Sequence, residues 1–265
     1  MAKKVCGLPV RVGRPERLRI YLSRSGLAVC VVTGGLRPVL RSKAILPSAS
    51  SDCDDAQGIS AALTALTPWL TAHSIRSPIE WIIGIDYVRY LLLPWDERLS
   101  NPSFCHSLAA ALFAQQSTAS EIPFSAYQIC FAPLSFGRPL LAALIPSEII
   151  REITTCASQQ RCRTRHIKPA FSTVWDRFFV RMKSDSGVLA LIEGQRLTRV
   201  AYDRGHVTSL SVQPFSAEQT SPVPGGVTLA FPARNLAMAA SGELALRGLA
   251  PDDDARFAYA LCGVL

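Results

Sequence analysis

The sequence predicts an α/β protein with α+β character, built as two lobes that each open on an antiparallel strand meander. The first observation is a strand, turn, strand, turn, strand pattern over residues 17–47, with strands at 17–23, 27–33 and 38–46. The second is its repetition over residues 187–215, with strands at 187–192, 196–202 and 206–212. Short aliphatic and β-branched runs broken by glycine-containing turns are what successive hairpins require. The third is that helical periodicities and further strands follow each meander. The repeat divides the chain into a basic flexible arm (1–16), a first lobe with inserted elements (17–170) and a second lobe (171–265), with a cleft between the lobes.

The elements follow in order. Residues 48–55 form a polar loop whose acidic end suits a helix N-terminus. Ile59, Ala62, Leu63, Leu66 and Leu70 then repeat at helical spacing, so 56–72 reads as an amphipathic helix, with Pro68 placed to bend its last turn. Pro78–Ile85 is nearly continuous in apolar residues, as in a strand buried on both faces. Asp86–Tyr90 leads into Leu91–Trp95, and Ser100 or Asn101 caps a helix carrying Phe104, Leu108, Leu112 and Phe113. Strands at 126–131 and 139–145 flank the turn Phe136-Gly137-Arg138, and a helix starts at Glu148. A short strand at 165–170 precedes a helix capped by Ser172, with Val174, Trp175, Phe178, Phe179 and Met182 on its apolar face. After the second meander come a loop (218–226), a strand (227–232), a short helix (236–240) and a strand (243–249). A last helix, favoured by Asp252, Asp253 and Asp254, carries Phe257 and Leu261.

Composition narrows the class of protein. An apolar content of 49% with 18% charged residues excludes global disorder. No apolar run reaches the roughly 20 residues a membrane helix needs. Lys3 and Lys4 are followed by Pro9, Arg11, Gly13, Arg14 and Pro15 rather than an apolar segment, which is not a signal peptide. The expected address is the cytoplasm, peripheral at the inner membrane. The eight cysteines include no C-x-x-C pair, so they read as free and mostly buried thiols, with Cys30 and Cys130 on apolar strands. Cys156, Cys162 and His166 lack zinc spacing and a fourth partner, so no metal site is expected. The net charge of +8 is concentrated in two places. One is Lys3, Lys4, Arg11, Arg14, Arg17, Arg19 and Arg24 against Glu16; the other is Arg161, Arg163, Arg165, His166 and Lys168. Both are solvated basic surface or the footprint of an anionic partner such as a membrane surface. Neither interleaves aromatics for base stacking, so no specific nucleic acid is expected.

Catalytic patterns are scarce. The sequence has no G-x-x-x-x-G-K-[ST], no G-x-G-x-x-G after a strand, no H-E-x-x-H and no G-x-S-x-G. His73, His106, His166 and His206 fall in apparent loops or on helix faces, with no nucleophile nearby in sequence. The doubled meander resembles the duplicated RNase H-like core of actin-like proteins. Tyr87-Val88-Arg89-Tyr90-Leu91-Leu92-Leu93-Pro94-Trp95, followed by a helix, resembles the strand, aliphatic-proline and helix element of the GspL and PilM group. Those are actin-like cytoplasmic domains of type II secretion and type IV pilus assembly proteins. Leu140–Ile145 followed by Pro146-Ser147-Glu148 resembles their next element, and the order of elements agrees over roughly residues 17–262.

The resemblance implies where a nucleotide would sit. ATP-binding members carry an acidic residue and glycine in each meander turn, for magnesium and phosphate. Here the first turn is Ser23-Arg24-Ser25-Gly26, without a carboxylate, and the second is Glu193-Gly194-Gln195. Glu193 and Gly194 are therefore the candidate cofactor residues, ATP with magnesium the cofactor they would serve, and no bound cofactor is expected. Gly225-Gly226 follows Pro222 and Pro224 and suits a plain loop. The chain also lacks the Asp-containing first turn of PilM-type proteins. It stops at Leu265, where GspL-type proteins continue into a membrane helix. The expectation is a free-standing, non-catalytic, pseudo-ATPase scaffold that binds the tail of an inner-membrane assembly protein or an assembly ATPase. Its expected contact residues are Tyr87, Arg89 and Trp95, with Lys3, Lys4, Arg11 and Arg14 of the arm. The rival expectations are an actin-like ATPase or sugar-kinase-like enzyme, and a nucleic-acid adaptor using the arm.

Overall fold

The computed structural model describes residues 16–35, 37–48, 55–73, 75–116, 122–215, 229–232, 249–250 and 253–264. The first meander is β1 (Glu16–Ser23), β2 (Gly26–Thr33) and β3 (Leu40–Pro47), followed by α1 (Asp55–Ala72) and β4 (Ile79–Ile83). An inserted block comes next: β5 (Arg89–Leu93), α2 (Pro102–Gln116), β6 (Tyr127–Phe131), β7 (Leu140–Pro146) and α3 (Ser147–Gln159). β8 (Thr164–Pro169) and α4 (Ala170–Met182) lead to the second meander, β9 (Ser186–Glu193), β10 (Arg196–Asp203) and β11 (His206–Pro214). β12 (Leu229–Phe231) and α5 (Arg256–Leu261) complete the described elements.

The two meanders lie in separate sheets and in equivalent places. The first sheet runs β3-β2-β1-β4-β8 and the second β11-β10-β9-β12. In each, the first meander strand takes a parallel neighbour on its free side, Leu18 against Ile79 in one and Leu189 against Leu229 in the other. The inserted block forms a third sheet, β5-β7-β6, with α2 on one face.

The alternation along β1 sets the layers. Leu18, Ile20 and Leu22 point to one face, where they pack with Ile59, Leu66 and Leu70 of α1 and Ile149 and Ile153 of α3. Tyr21 points to the other, with Ala28, Cys30 and Val32 of β2. That second face does not meet water. It joins α4, α5 and the inner face of the second sheet in one buried cluster that includes Phe171, Val174, Leu189, Leu191, Phe231 and Tyr259. β2 is consequently buried along its whole length, as expected for a strand covered on both sides. Arg138 of the inserted block also pairs with Asp203 of β10 at 2.9 Å.

Some local expectations change. Asn101 caps α2, accepting from the Ser103 N–H at 2.9 Å, with Pro102 at the first helical position. Ser172 is not a cap: Pro169, with φ −59° and ψ 146°, ends β8 and α4 begins at the next residue. His166 and His206 lie in strands β8 and β11 rather than in loops or on helices. Cys130 is on β6 as expected but exposed, while Cys30, Cys105, Cys156, Cys162 and Cys262 are free and buried. α1 continues past Pro68 to Ala72. The arm apart from Glu16, the 236–240 helix and the 243–248 strand lie outside the described residues.

Candidate functional site

The candidate site is the joint between the lobes, where the ends of β1, β4 and β9 meet α5. Glu193 is the last residue of β9, and the strand delivers its side chain into the interface, where it is 5% exposed. One carboxylate oxygen, Oε2, accepts from the Tyr21 hydroxyl at 2.8 Å and from the Ile85 N–H at 3.0 Å. Tyr21 stacks on Tyr259 of α5, ring centroids 5.0 Å apart, and the Tyr259 hydroxyl donates to Ile192 O at 2.7 Å. Burial pushes the Glu193 carboxyl up to about 7, against the hydrogen bonds from Tyr21 and Ile85, which favour its charged form. The phenols of Tyr21 and Tyr259 are raised by the same burial and then by Glu193.

Gly84 makes this approach possible. A Cβ there would lie 2.9 Å from the Tyr21 hydroxyl and 3.2 Å from Glu193 Oε2. Gly194 serves the hairpin instead, with φ +58° and open space around it, which is the conformation a tight turn asks of glycine.

The first turn is held from α5. Arg256 of α5 donates through Nη1 to Ser25 O at 3.2 Å and to Ser25 Oγ at 3.1 Å. Asp254 fixes the same guanidinium, at 2.9 Å to Nε and 2.6 Å to Nη2, and these bonds hold its carboxyl below the usual range. The Arg24 N–H donates to Asp86 Oδ2 at 3.1 Å.

These residues do not fit a magnesium nucleotide. A hard divalent cation asks for ionised oxygen ligands in an open cage. The turn that should offer a carboxylate offers Arg24, and the acid of the other turn is buried, raised by that burial to about 7 and committed to Tyr21 and Ile85. Among the described residues no group of three or more His, Cys, Asp or Glu is arranged to hold a metal.

The expected contact residues separate. Tyr87 is 6% exposed and packs in the core beneath the first sheet, so it supports the fold rather than offering a surface. Arg89 is exposed, its guanidinium 5.4 Å from the Phe113 ring centroid of α2. Trp95 is half-buried and meets Phe136 edge-on at 5.0 Å, and Phe136 is 88% exposed. In the sequence Phe136 reads as a turn residue, and a large aromatic in a glycine turn is the one local signal of its exposure. Lys3, Lys4, Arg11 and Arg14 lie outside the described residues.

The chain has an actin-like fold. It is similar to the cytoplasmic domain of EpsL, an inner-membrane component of the type II secretion system of Vibrio cholerae, at 9% identity over 92% of each chain and a TM-score of 0.55. It is also similar to a chain of the PilM-PilN type IV pilus biogenesis complex, at 15% identity and a TM-score of 0.55. That match covers 78% of this chain and 64% of the other. A Bacteroides thetaiotaomicron protein with actin-like ATPase fold and unknown function matches at 10% identity, over 80% of this chain and 76% of that one, with a TM-score of 0.51. No protein-family model matches the sequence, and no curated protein does. The expected resemblance to the GspL and PilM group is thus present at the level of fold.

Proposed function

We propose that the chain is a non-catalytic cytoplasmic scaffold of a type IV pilus or type II secretion-like assembly platform, peripheral at the inner membrane. It binds the cytoplasmic tail of an inner-membrane assembly protein or an assembly ATPase. The observation that carries this reading is the sealed Glu193, whose carboxylate ties the two lobes together instead of facing a cleft. The likeness in fold to a PilM-PilN chain and to the EpsL cytoplasmic domain supports the choice of system. Residues 17–170 and 171–265 are proposed as the two lobes. Arg89 and Trp95, with Phe136 added, are the proposed contact surface, and the arm residues Lys3, Lys4, Arg11 and Arg14 its electrostatic complement.

Calorimetry with ATP and magnesium tests the loss of the nucleotide site. The expected dissociation constant is weaker than about 1 mM. A magnesium-dependent affinity in the low micromolar range overturns the reading in favour of an ATPase. A pull-down from cytoplasmic-membrane extract then tests the partner: capture of an inner-membrane assembly protein or an assembly ATPase, lost on Trp95→Ala with Phe136→Ala, supports it.

A further inference from the structure

The strands that end the sheets differ in how they guard their free backbone groups. An open edge is a template for another strand, and charged residues, bulges or a short length blunt it. In the first sheet the edges are β3, which carries Arg41 and Lys43, and β8, which carries Arg165 and Lys168. On β8, His166 also lies in one row with Glu80 and Arg19 across β4 and β1. In the third sheet β5 carries Arg89, and β6 is uncharged but five residues long. β12 has three residues, all buried. β11, at the end of the second sheet, has nine residues, more than any of these, and no Lys, Arg, Asp or Glu among them.

The direction of the backbone groups on β11 follows from its register. The Phe215 N–H donates to Gln195 O at 2.8 Å, and the pairs Leu197–Gln213, Arg199–Ser211 and Ala201–Ser209 continue the same register. Antiparallel pairs alternate between hydrogen-bonded and non-hydrogen-bonded. Ser209, Ser211 and Gln213 therefore turn their N–H and C=O groups toward β10, while Leu210 and Val212 turn theirs outward. Among the described residues no strand takes up those outward groups. The open stretch is bounded at both ends. The register steps from Ala201–Ser209 to Tyr202–Val207, so Thr208 bulges before it, and Pro214 after it has no N–H to give.

We propose that β11 is the contact between two copies of this chain, paired antiparallel across a two-fold axis at Ser211. The stretch is complementary to itself. With Ser211 opposite Ser211 of the second copy, Leu210 faces Val212 and Ser209 faces Gln213, and the reverse pairs follow by symmetry. The residues that meet in hydrogen-bonded pairs are then Leu210 and Val212, whose groups point outward. The side chains agree with the backbone. Leu210 and Val212 share the face of Val200, and Val212 is 39% exposed, an apolar surface that Leu210 of the second copy covers. Ser209, Ser211 and Gln213 share the opposite face, exposed and uncharged, so the strand sets no like charges against each other. An axis one residue earlier, at Leu210, would place Val212 against the bulged Thr208 instead. The proposal does not depend on the partner contact at Arg89, Trp95 and Phe136.

Sedimentation equilibrium of the full chain tests it. The expected result is a monomer–dimer equilibrium with a dissociation constant on the order of 10–100 μM, the strength of a small interface. Val212→Pro removes an outward N–H that makes no bond to β10. It should weaken the dimer about tenfold or more and leave the melting temperature near the parent's. Ser211→Cys locates the axis, and it carries the test alone if the proline variant does not fold. Opposed in a non-hydrogen-bonded pair, the two Cα atoms lie ~4.5 Å apart, within reach of a disulfide. With an added oxidant this variant should link into covalent dimers beyond the background that native thiols such as the exposed Cys130 set in the parent. Gln213→Cys should stay at that background, because Gln213 faces Ser209 and not its own counterpart. A parent that stays monomeric up to about 1 mM overturns the proposal. So does a dimer that a folded Val212→Pro variant leaves unweakened, or cross-linking no greater at position 211 than at 213.

Discussion

Glu193 shows how one residue changes meaning with its surroundings. In sequence it is an acid beside a hairpin glycine; in the fold it is a buried acid whose neighbours are Tyr21, Tyr259, Tyr90 and Asp86. Its folded value of about 7 lies above the ordinary carboxyl value of 4.5. Between these limits the native state holds a proton that the unfolded chain has released. The group's contribution to stability is therefore fully present below the unfolded value and is lost as pH rises through about 7. Over that window the loss is on the order of 3 kcal/mol. Glu193→Gln keeps an acceptor for Ile85 and Tyr21 without the charge. Urea unfolding should show this variant equal to the parent near pH 4.5 and more stable than it near pH 8. Glu193→Ala strands the Ile85 N–H and the Tyr21 hydroxyl and should cost about 1–3 kcal/mol. A parent and a Gln variant with parallel stability profiles would contradict the assignment.

At the scale of elements, the link between β4 and the Ile85–Tyr87 turn is as constrained as any strand. Gly84 donates to Leu22 O at 2.8 Å, extending the parallel ladder by one bond. A Cβ at this position meets Leu22 O at 2.8 Å, a backbone atom that cannot step aside cheaply. Gly84→Ala should therefore cost about 1–3 kcal/mol by overpacking and should also disturb the Tyr21–Glu193 bond. Gly194→Ala meets no neighbour and pays only for its positive φ, about 1 kcal/mol. Chemical denaturation of the two variants checks the ordering, and a larger loss at Gly194 would reverse it.

At the scale of the whole molecule, the two lobes are joined by a hydrophobic cluster that runs from β2 through α4 and α5 to β9 and β12. The partner contact proposed above therefore takes in the surface at Arg89, Trp95 and Phe136 and the arm. Replacing Lys3, Lys4, Arg11 and Arg14 together by Ala should leave the melting temperature nearly unchanged, as expected of the flexible arm that the sequence predicts. Partner association should slow, and its dependence on salt should flatten. Association that is unaltered across ionic strengths would confine the contact to Arg89, Trp95 and Phe136.

The sequence by itself determined the meanders, the helical faces of α1 and α3 and the order of the described elements. These rest on local periodicity and on turn residues, which neighbouring positions are enough to specify. The missing first carboxylate was legible too, because Arg24 occupies that turn whatever surrounds it. Tertiary structure alone decided that Glu193 is sealed, since its partners Tyr21 and Ile85 are more than 100 residues away in the chain. It alone decided that Tyr87 is core and Phe136 surface, because burial depends on which sheet face a neighbouring element covers. The row Arg19, Glu80 and His166 was likewise invisible in the sequence. Parallel pairing sets the register between distant strands, and no local pattern records which residues it will place side by side.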